Sequence, residues 1–121
     1  MNMELIIALH DRALAKKQEE TELHIARLQQ DLRQDEANLL KARRNVYGHF
    51  RTALQAYKRQ GEGAVEKYRE LMQKIFQSWS EAKDLAALHQ DAQRLAVEET
   101  KLGAWREAMA LLDDQTGEGN V

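Results

Sequence analysis

The chain has 121 residues, a net charge of −2, and neither proline nor cysteine. Average usage would supply roughly six prolines, so their absence favours long helices over a fold rich in turns. Without cysteine, a disulfide framework, a thiolate metal site and a cysteine nucleophile are all excluded.

The first half of the chain carries one apolar stripe. Its members recur at alternating spacings of three and four residues, which places them on one side of a helix. We therefore predict a first long helix from about residue 4 to 59. The stripe consists of Ile25, Leu28, Leu32, Leu39, Ala42, Val46, Ala53 and Ala56, with Phe50 and Leu54 beside it.

The second half carries a similar stripe and predicts a second long helix from about residue 64 to 113. The stripe keeps heptad spacing through Val65, Tyr68, Met72, Ile75, Trp79, Ala82 and Ala86. After a slip in this spacing it resumes through Leu88, Ala92, Leu95, Leu102, Met109 and Leu112, with Glu99 as a polar exception.

Two glycines at Gly61 and Gly63 separate these helices and predict a bend near 60–63. A short connection makes neighbouring helices antiparallel. The expected fold is therefore all-α, with two long helices forming an antiparallel coiled-coil hairpin over 1–113, each arm about 75–85 Å long. In this register Gly48 lies opposite Phe76. The acidic, aperiodic segment 114–121 is expected to be a disordered tail.

The residues do not assemble a reaction centre. His10, His24, His49 and His89 are far apart in the sequence, so no metal site is predicted. Paired carboxylates would need a closed pocket to work as acid and base, and a two-helix rod has none. We expect no enzymatic activity, no cofactor and no small-molecule substrate.

A basic stretch stands out at 41–59, which carries six positive charges and no acid. Its cations alternate with aromatic residues, a combination that can bind nucleic acid. Two alternatives are that the stretch binds an acidic protein or lipid surface, or that it only keeps this face of the helix solvated. Tyr47, Phe50 and Trp105 flank the stripes, so we expect them to form a partly exposed aromatic patch that is available for binding. The candidate partner-binding residues are Leu40, Arg43, Arg44, Tyr47, Phe50, Arg51 and Trp105.

Two short segments resemble a known family. Leu40-Lys41, Val46, Phe50-Arg51 and Leu54 are similar to the first-helix stretch of the flagellar export protein FliJ, although that family has an aromatic residue at the position of Val46. Ser78-Trp79-Ser80-Glu81-Ala82-Lys83 resembles a segment of its second helix. Length and composition also resemble the small FliJ-like proteins of type III secretion systems, the YscO or HrpO group.

This resemblance implies a cytoplasmic stalk at the inner-membrane face of a secretion apparatus. Such a stalk links the export ATPase ring to the cytoplasmic domain of the export gate, binds secretion chaperones as well, and hydrolyses nothing itself. Leu40, Tyr47 and Phe50 would contribute to the gate contact.

Two other functions are compatible with the sequence. One is a secretion chaperone that binds an amphipathic helix of a client protein, and the other is a nucleic-acid-associated coiled coil that uses residues 41–59. The apolar stripes fit either a monomer or a homodimer. The start of the chain lacks a signal-peptide pattern, and no apolar stretch approaches the roughly 20 residues that span a bilayer. We therefore expect a soluble, cytoplasmic protein.

Overall fold

The computed structural model describes residues 2–117, in which the chain forms four helices. In chain order they are α1 (Met3–Gln30), α2 (Gln34–Gln60), α3 (Ala64–Leu88) and α4 (Ala92–Thr116). The all-α class is confirmed. The arrangement of two long helices is wrong, because each predicted helix is divided near its middle and folds back as a helical hairpin.

The first division is a left-handed turn at Leu32, whose φ is 59°. Two hydrogen bonds close the turn: the Arg33 N–H donates to the Leu28 carbonyl at 2.8 Å, and the Leu32 N–H donates to the Gln29 carbonyl at 3.1 Å. This is the Schellman pattern, which satisfies the last carbonyls of a helix and ends it. Leu32 therefore leaves the predicted stripe and is 90% exposed.

The second division repeats the first. Gln90 has a φ of 56°, the Asp91 N–H donates to the Ala86 carbonyl at 2.9 Å, and the Gln90 N–H donates to the Ala87 carbonyl at 3.2 Å. The following helix begins at once, because the Asp91 side chain caps α4 by accepting from the Arg94 N–H at 3.0 Å. The turns of the α1–α2 and α3–α4 hairpins thus have the same geometry.

The predicted break at Gly61 to Gly63 is present. Gly61 and Gly63 have φ values of 85° and 79°, a region that glycine enters without a Cβ clash. The chain therefore reverses three times between residues 2 and 117. The start of α1, the end of α4 and the Gly61–Gly63 turn lie at one end of the bundle, which we name the core end. The turns at Leu32 and Gln90 lie at the other, the tip end.

The main hydrophobic core occupies the core end and draws on all four helices. α2 is central to it and packs against the other three, whereas α1 and α3 barely meet. Phe50 and Leu54 were predicted beside the stripe but are fully buried. The core comprises Ile6, Ile7, Leu14, Val46, Tyr47, Phe50, Leu54, Ala64, Val65, Tyr68, Met72, Ala104, Ala108, Met109 and Leu112.

The tip end has only a small, separate core. Ile25, Leu28 and Ala37 are buried there, with Leu40 packed on them, and all four belong to the α1–α2 hairpin. At this end the two hairpins do not share a buried centre. Leu88, predicted in the second stripe, is 74% exposed as a result.

Other details of the two-helix register also change. A methyl group on Gly48 would lie 3.0 Å from Gln18 Nε2, so this glycine makes room for α1 and not for Phe76. Phe50 stacks on Trp79, with their ring centroids 6.0 Å apart. The expected polar exception, Glu99, is exposed, and its neighbour Glu98 is buried instead.

The C-terminal helix is longer than predicted. Residues 114–116, expected to be disordered, are the last residues of α4, and Thr116 Oγ1 accepts a hydrogen bond from Arg69 at 3.1 Å. Residues 118–121 of the predicted tail lie outside the described residues. Within residues 2–117, no helix contains an apolar stretch long enough to cross a membrane.

The turn at Leu32 can be tested by substitution. A non-glycine residue in the left-handed region costs about 1–2 kcal/mol, and the Leu32 side chain buries almost nothing in return. We expect Leu32→Gly to raise the free energy of unfolding by about 0.5–1 kcal/mol, as measured by urea denaturation.

The matched control is Ala26→Gly, on the exposed face of α1, which should lower the free energy of unfolding by about 1 kcal/mol. If Leu32→Gly destabilises as much as this control, residue 32 lies inside a continuous helix and the turn is wrong.

Candidate functional site

A cleft separates α2 from α4 at the tip end. Its volume is about 460 Å³, and it is open to solvent. It forms because the shared core stops before this end, so that the facing side chains of the two hairpins meet incompletely. Its lining consists of Asp35, Asn38 and Leu39 from α2 and Gln93, Ala96 and Val97 from α4.

The floor of the cleft is apolar because of a local sequence feature in α4. Leu95, Ala96 and Val97 are consecutive, and three consecutive residues of a helix cannot all point to one side. All three are half-buried, as is Leu39 on the facing helix. Part of the apolar surface between α2 and α4 is therefore left uncovered by residues 2–117.

The rim of the cleft is acidic. Asp35 has no ion pair with any described residue, whereas its neighbour Glu36 is held by Arg33 in the preceding turn. Asn38 accepts a hydrogen bond from Gln34 at 2.8 Å and adds a neutral polar group. The cleft thus offers an apolar strip beside a carboxylate, which suits an amphipathic helix with a basic residue on its flank.

The tip end also exposes large apolar side chains. Leu32 lies in the first turn, and Leu85 and Leu88 lie on the last turns of α3, where Leu85 is 55% exposed. Leu32, Leu85 and Leu88 include the two most exposed leucines of residues 2–117, and a group of exposed apolar side chains is typical of an interaction surface.

The predicted aromatic patch is not on the surface. Tyr47 and Phe50 are fully buried in the main core, so the expectation of partial exposure was wrong for both. The cause is that α3 and α4 cover the face of α2 that a two-helix rod would leave open. Trp105 is half-buried: its indole N–H donates to the Met72 carbonyl at 2.8 Å, and its ring packs on Phe76.

The predicted arginines are paired with acids that lie far away in the sequence. Arg43 pairs with Glu107 of α4, Arg44 pairs with Glu22 at 2.9 Å, and Arg51 pairs with Asp11 at 3.0 Å. These pairs neutralise half of the six positive charges of 41–59.

Leu40 is half-buried and packs on the small core of the α1–α2 hairpin. The structure therefore spreads the seven predicted residues over core, ion pairs and hairpin packing and does not gather them at one site. Whether any of them contacts a partner stays a prediction.

Tyr47 lies at the centre of a polar network inside the core end. Its hydroxyl donates to Glu107 Oε2 at 2.7 Å and accepts from Arg43 Nε at 3.1 Å. Burial and the bond to Glu107 raise the pKa of Tyr47 to about 12. Burial alone would raise the pKa of Glu107, but hydrogen bonds from Arg43 and Tyr47 outweigh it and hold that pKa below its usual value. The network joins α2 to α4.

A second network ties α1 to α3 and α4 through His10, which is fully buried. Gln115 donates to the Leu9 carbonyl, so its Oε1 is the acceptor for His10 Nδ1 at 2.9 Å. His10 Nε2 then accepts from the Tyr68 hydroxyl at 3.0 Å. The imidazole is therefore neutral and serves as both donor and acceptor. We interpret it as a structural link of the core end.

Sequence reasoning missed the cleft residues, although two signals pointed to them. Asp35 occupied a stripe position that should have been apolar, and the run Leu95-Ala96-Val97 exceeded what one helix face can use. Each signal marks a place where the long-helix pattern fails.

No metal cluster is evident either: among residues 2–117, no three histidine or acidic side chains come together as a metal would require.

No family model matches the chain. Comparisons with curated proteins and with solved structures likewise find no match.

The buried His10 makes stability depend on pH. Burial lowers the pKa of His10 from 6.5 to about 4; the charge of Arg69 adds to this shift, whereas Gln115 and Asp11 oppose it. As the pH falls from 6.5 to about 4, the unfolded chain takes up a proton at His10 before the folded chain does. We expect this group to remove on the order of 3 kcal/mol of stability across that window and no more below it.

The measurement is urea denaturation of the wild type and of His10→Gln from pH 7 to pH 4. The difference between the two unfolding free energies should shrink as the pH falls, because only the wild type loses the His10 contribution. Parallel pH profiles for the two proteins would contradict the assignment.

Proposed function

We propose that this chain is a non-enzymatic interaction protein that binds an amphipathic helix of a partner protein in the cleft between α2 and α4. The observation that carries the proposal is the incomplete core at the tip end, where Leu39, Ala96 and Val97 line an open apolar strip. A fifth helix laid there would complete the packing that the two hairpins leave unfinished. Helix-in-groove binding of this kind uses apolar anchors spaced three and four residues apart.

The charge of the cleft selects among such helices. Asp35 is the one charged residue of the lining, and it has no cationic partner among residues 2–117. A lysine or arginine on the flank of the incoming helix would pair with it, and an acidic flank would be repelled.

The resemblance to FliJ-like proteins supplies the partner class. It suggests a type III export apparatus, with the export ATPase, the cytoplasmic domain of the export gate and secretion chaperones or their clients as candidates. Within that setting, the cleft favours the chaperone-like role, in which the chain holds a helix of a client protein.

The stalk role has less support. It rests on the two short segments at 40–54 and 78–83, and Val46 departs from the family pattern in the first of them. Helices of 25–28 residues are about 40 Å long, half of what the predicted rod would offer to an ATPase ring. The neutralised arginines likewise reduce the support for nucleic-acid binding by 41–59.

The test is direct binding, measured by isothermal titration calorimetry, to the export ATPase, the gate domain and secretion clients of the organism that encodes the chain. Leu39→Asp and Val97→Asp should each weaken binding about tenfold or more, because a carboxylate in the apolar strip loses its hydration without a partner. The matched control is Leu23→Asp on the exposed face of α1.

Helical circular dichroism should be unchanged in all three variants. If the cleft variants bind a partner as strongly as the control does, the cleft is not the binding site. Failure of every export protein to bind, together with binding of a basic amphipathic helix from another source, would refute the export setting but keep the cleft.

A further inference from the structure

A second surface lies at the end of the α3–α4 hairpin, apart from the cleft described above. We define this α3–α4 tip as residues 82–94. A groove of about 410 Å³ runs along it between Ala82, Leu85 and Ala86 on one side and Asp91 and Arg94 on the other. Leu85 and Leu88 stand exposed beside the groove.

The charges around these leucines balance. The tip carries Lys83, Asp84, Asp91 and Arg94, two cations and two anions within 12 residues. None of these side chains forms an ion pair with a described residue, and Asp91 uses one carboxylate oxygen to cap α4. Apolar side chains are thus surrounded by unpaired charges of both signs.

This charge pattern favours a second copy of the chain as the occupant. A partner of one charge sign would be attracted by half of the tip and repelled by the other half. A second copy of the same surface, rotated by a two-fold axis, can place cations opposite anions and leucine against leucine, because an isologous interface uses the same patch on both copies. We propose that the α3–α4 tip is the interface of a homodimer with two-fold symmetry.

The size of the surface limits the strength of the dimer. A stable interface usually buries about 800 Å² on each partner, and a hairpin end with two exposed leucines supplies less. The dimer should therefore be weak, with a dissociation constant on the order of micromolar. Since the cleft between α2 and α4 is a different surface, this proposal stands or falls independently of the proposed function.

Sedimentation velocity of the whole chain between about 1 µM and about 500 µM tests the dimer. The wild type should shift from monomer to dimer across this range. Leu85→Ser with Leu88→Ser should remain monomeric, and Arg94→Glu should weaken the dimer about tenfold by placing an anion against an anion. Leu5→Ser with Leu9→Ser is the matched control, because it removes two exposed leucines at the core end and should leave dimerisation intact.

The absence of cysteine provides a second readout. Leu88→Cys should form an intermolecular disulfide under mild oxidation, whereas Leu23→Cys, at a leucine that is also exposed but lies on α1, should not. A wild type that stays monomeric at every concentration, or a dimer that survives loss of both tip leucines, would overturn the proposal.

Discussion

The left-handed turns at Leu32 and Gln90 are the constraint on which the rest of the structure depends. Each one diverts the chain after about 25 residues of helix and closes the helix end with a pair of backbone hydrogen bonds. Two potential rods thereby become two hairpins, and four helices can surround one core where two could bury only a seam. The burial of Tyr47 and Phe50, the pairing of the arginines and the two surfaces of the tip end all follow from this division.

The molecule is divided between an end that is well packed and an end that is not. The core end holds the large buried side chains and both polar networks, and those networks join helices that are distant in the sequence. His10 links α1 to α3 and α4, while Tyr47 links α2 to α4. The tip end has a small core confined to one hairpin, an open cleft and exposed leucines. The well-packed core end and the two proposed interaction surfaces thus lie at opposite ends of the same bundle.

Local patterns in the sequence predicted what local interactions decide. The spacing of Val65, Tyr68 and Met72 located the buried face of α3, and Gly61 with Gly63 located one reversal, because glycine is the usual residue at such a turn. The other two turns place leucine and glutamine in a conformation that favours glycine, so the sequence lacked their signal. Heptad spacing continued across the first turn and concealed it, apart from the polar Asp35. The second turn was marked only by the slip in spacing between Ala86 and Leu88.

The candidate binding residues were harder to predict because exposure is decided by elements that pack from far along the chain. Arg51 is neutralised by an acid 40 residues earlier, and Arg43 by one 64 residues later, so a positive stretch in the sequence is not a positive surface. The cleft exists only where two hairpins fail to meet, a property that no single segment carries.

The distance between residues 4 and 60 tests the folding of the α1–α2 hairpin most directly. Glu4 and Gln60 are exposed, and spin labels on Glu4→Cys and Gln60→Cys would be the only thiol-linked groups in the chain. Both positions lie at the core end, so pulsed electron paramagnetic resonance should give a separation of about 30 Å or less, a few helix diameters. A continuous first helix would place the labels roughly 84 Å apart, and a separation of that order would contradict the account.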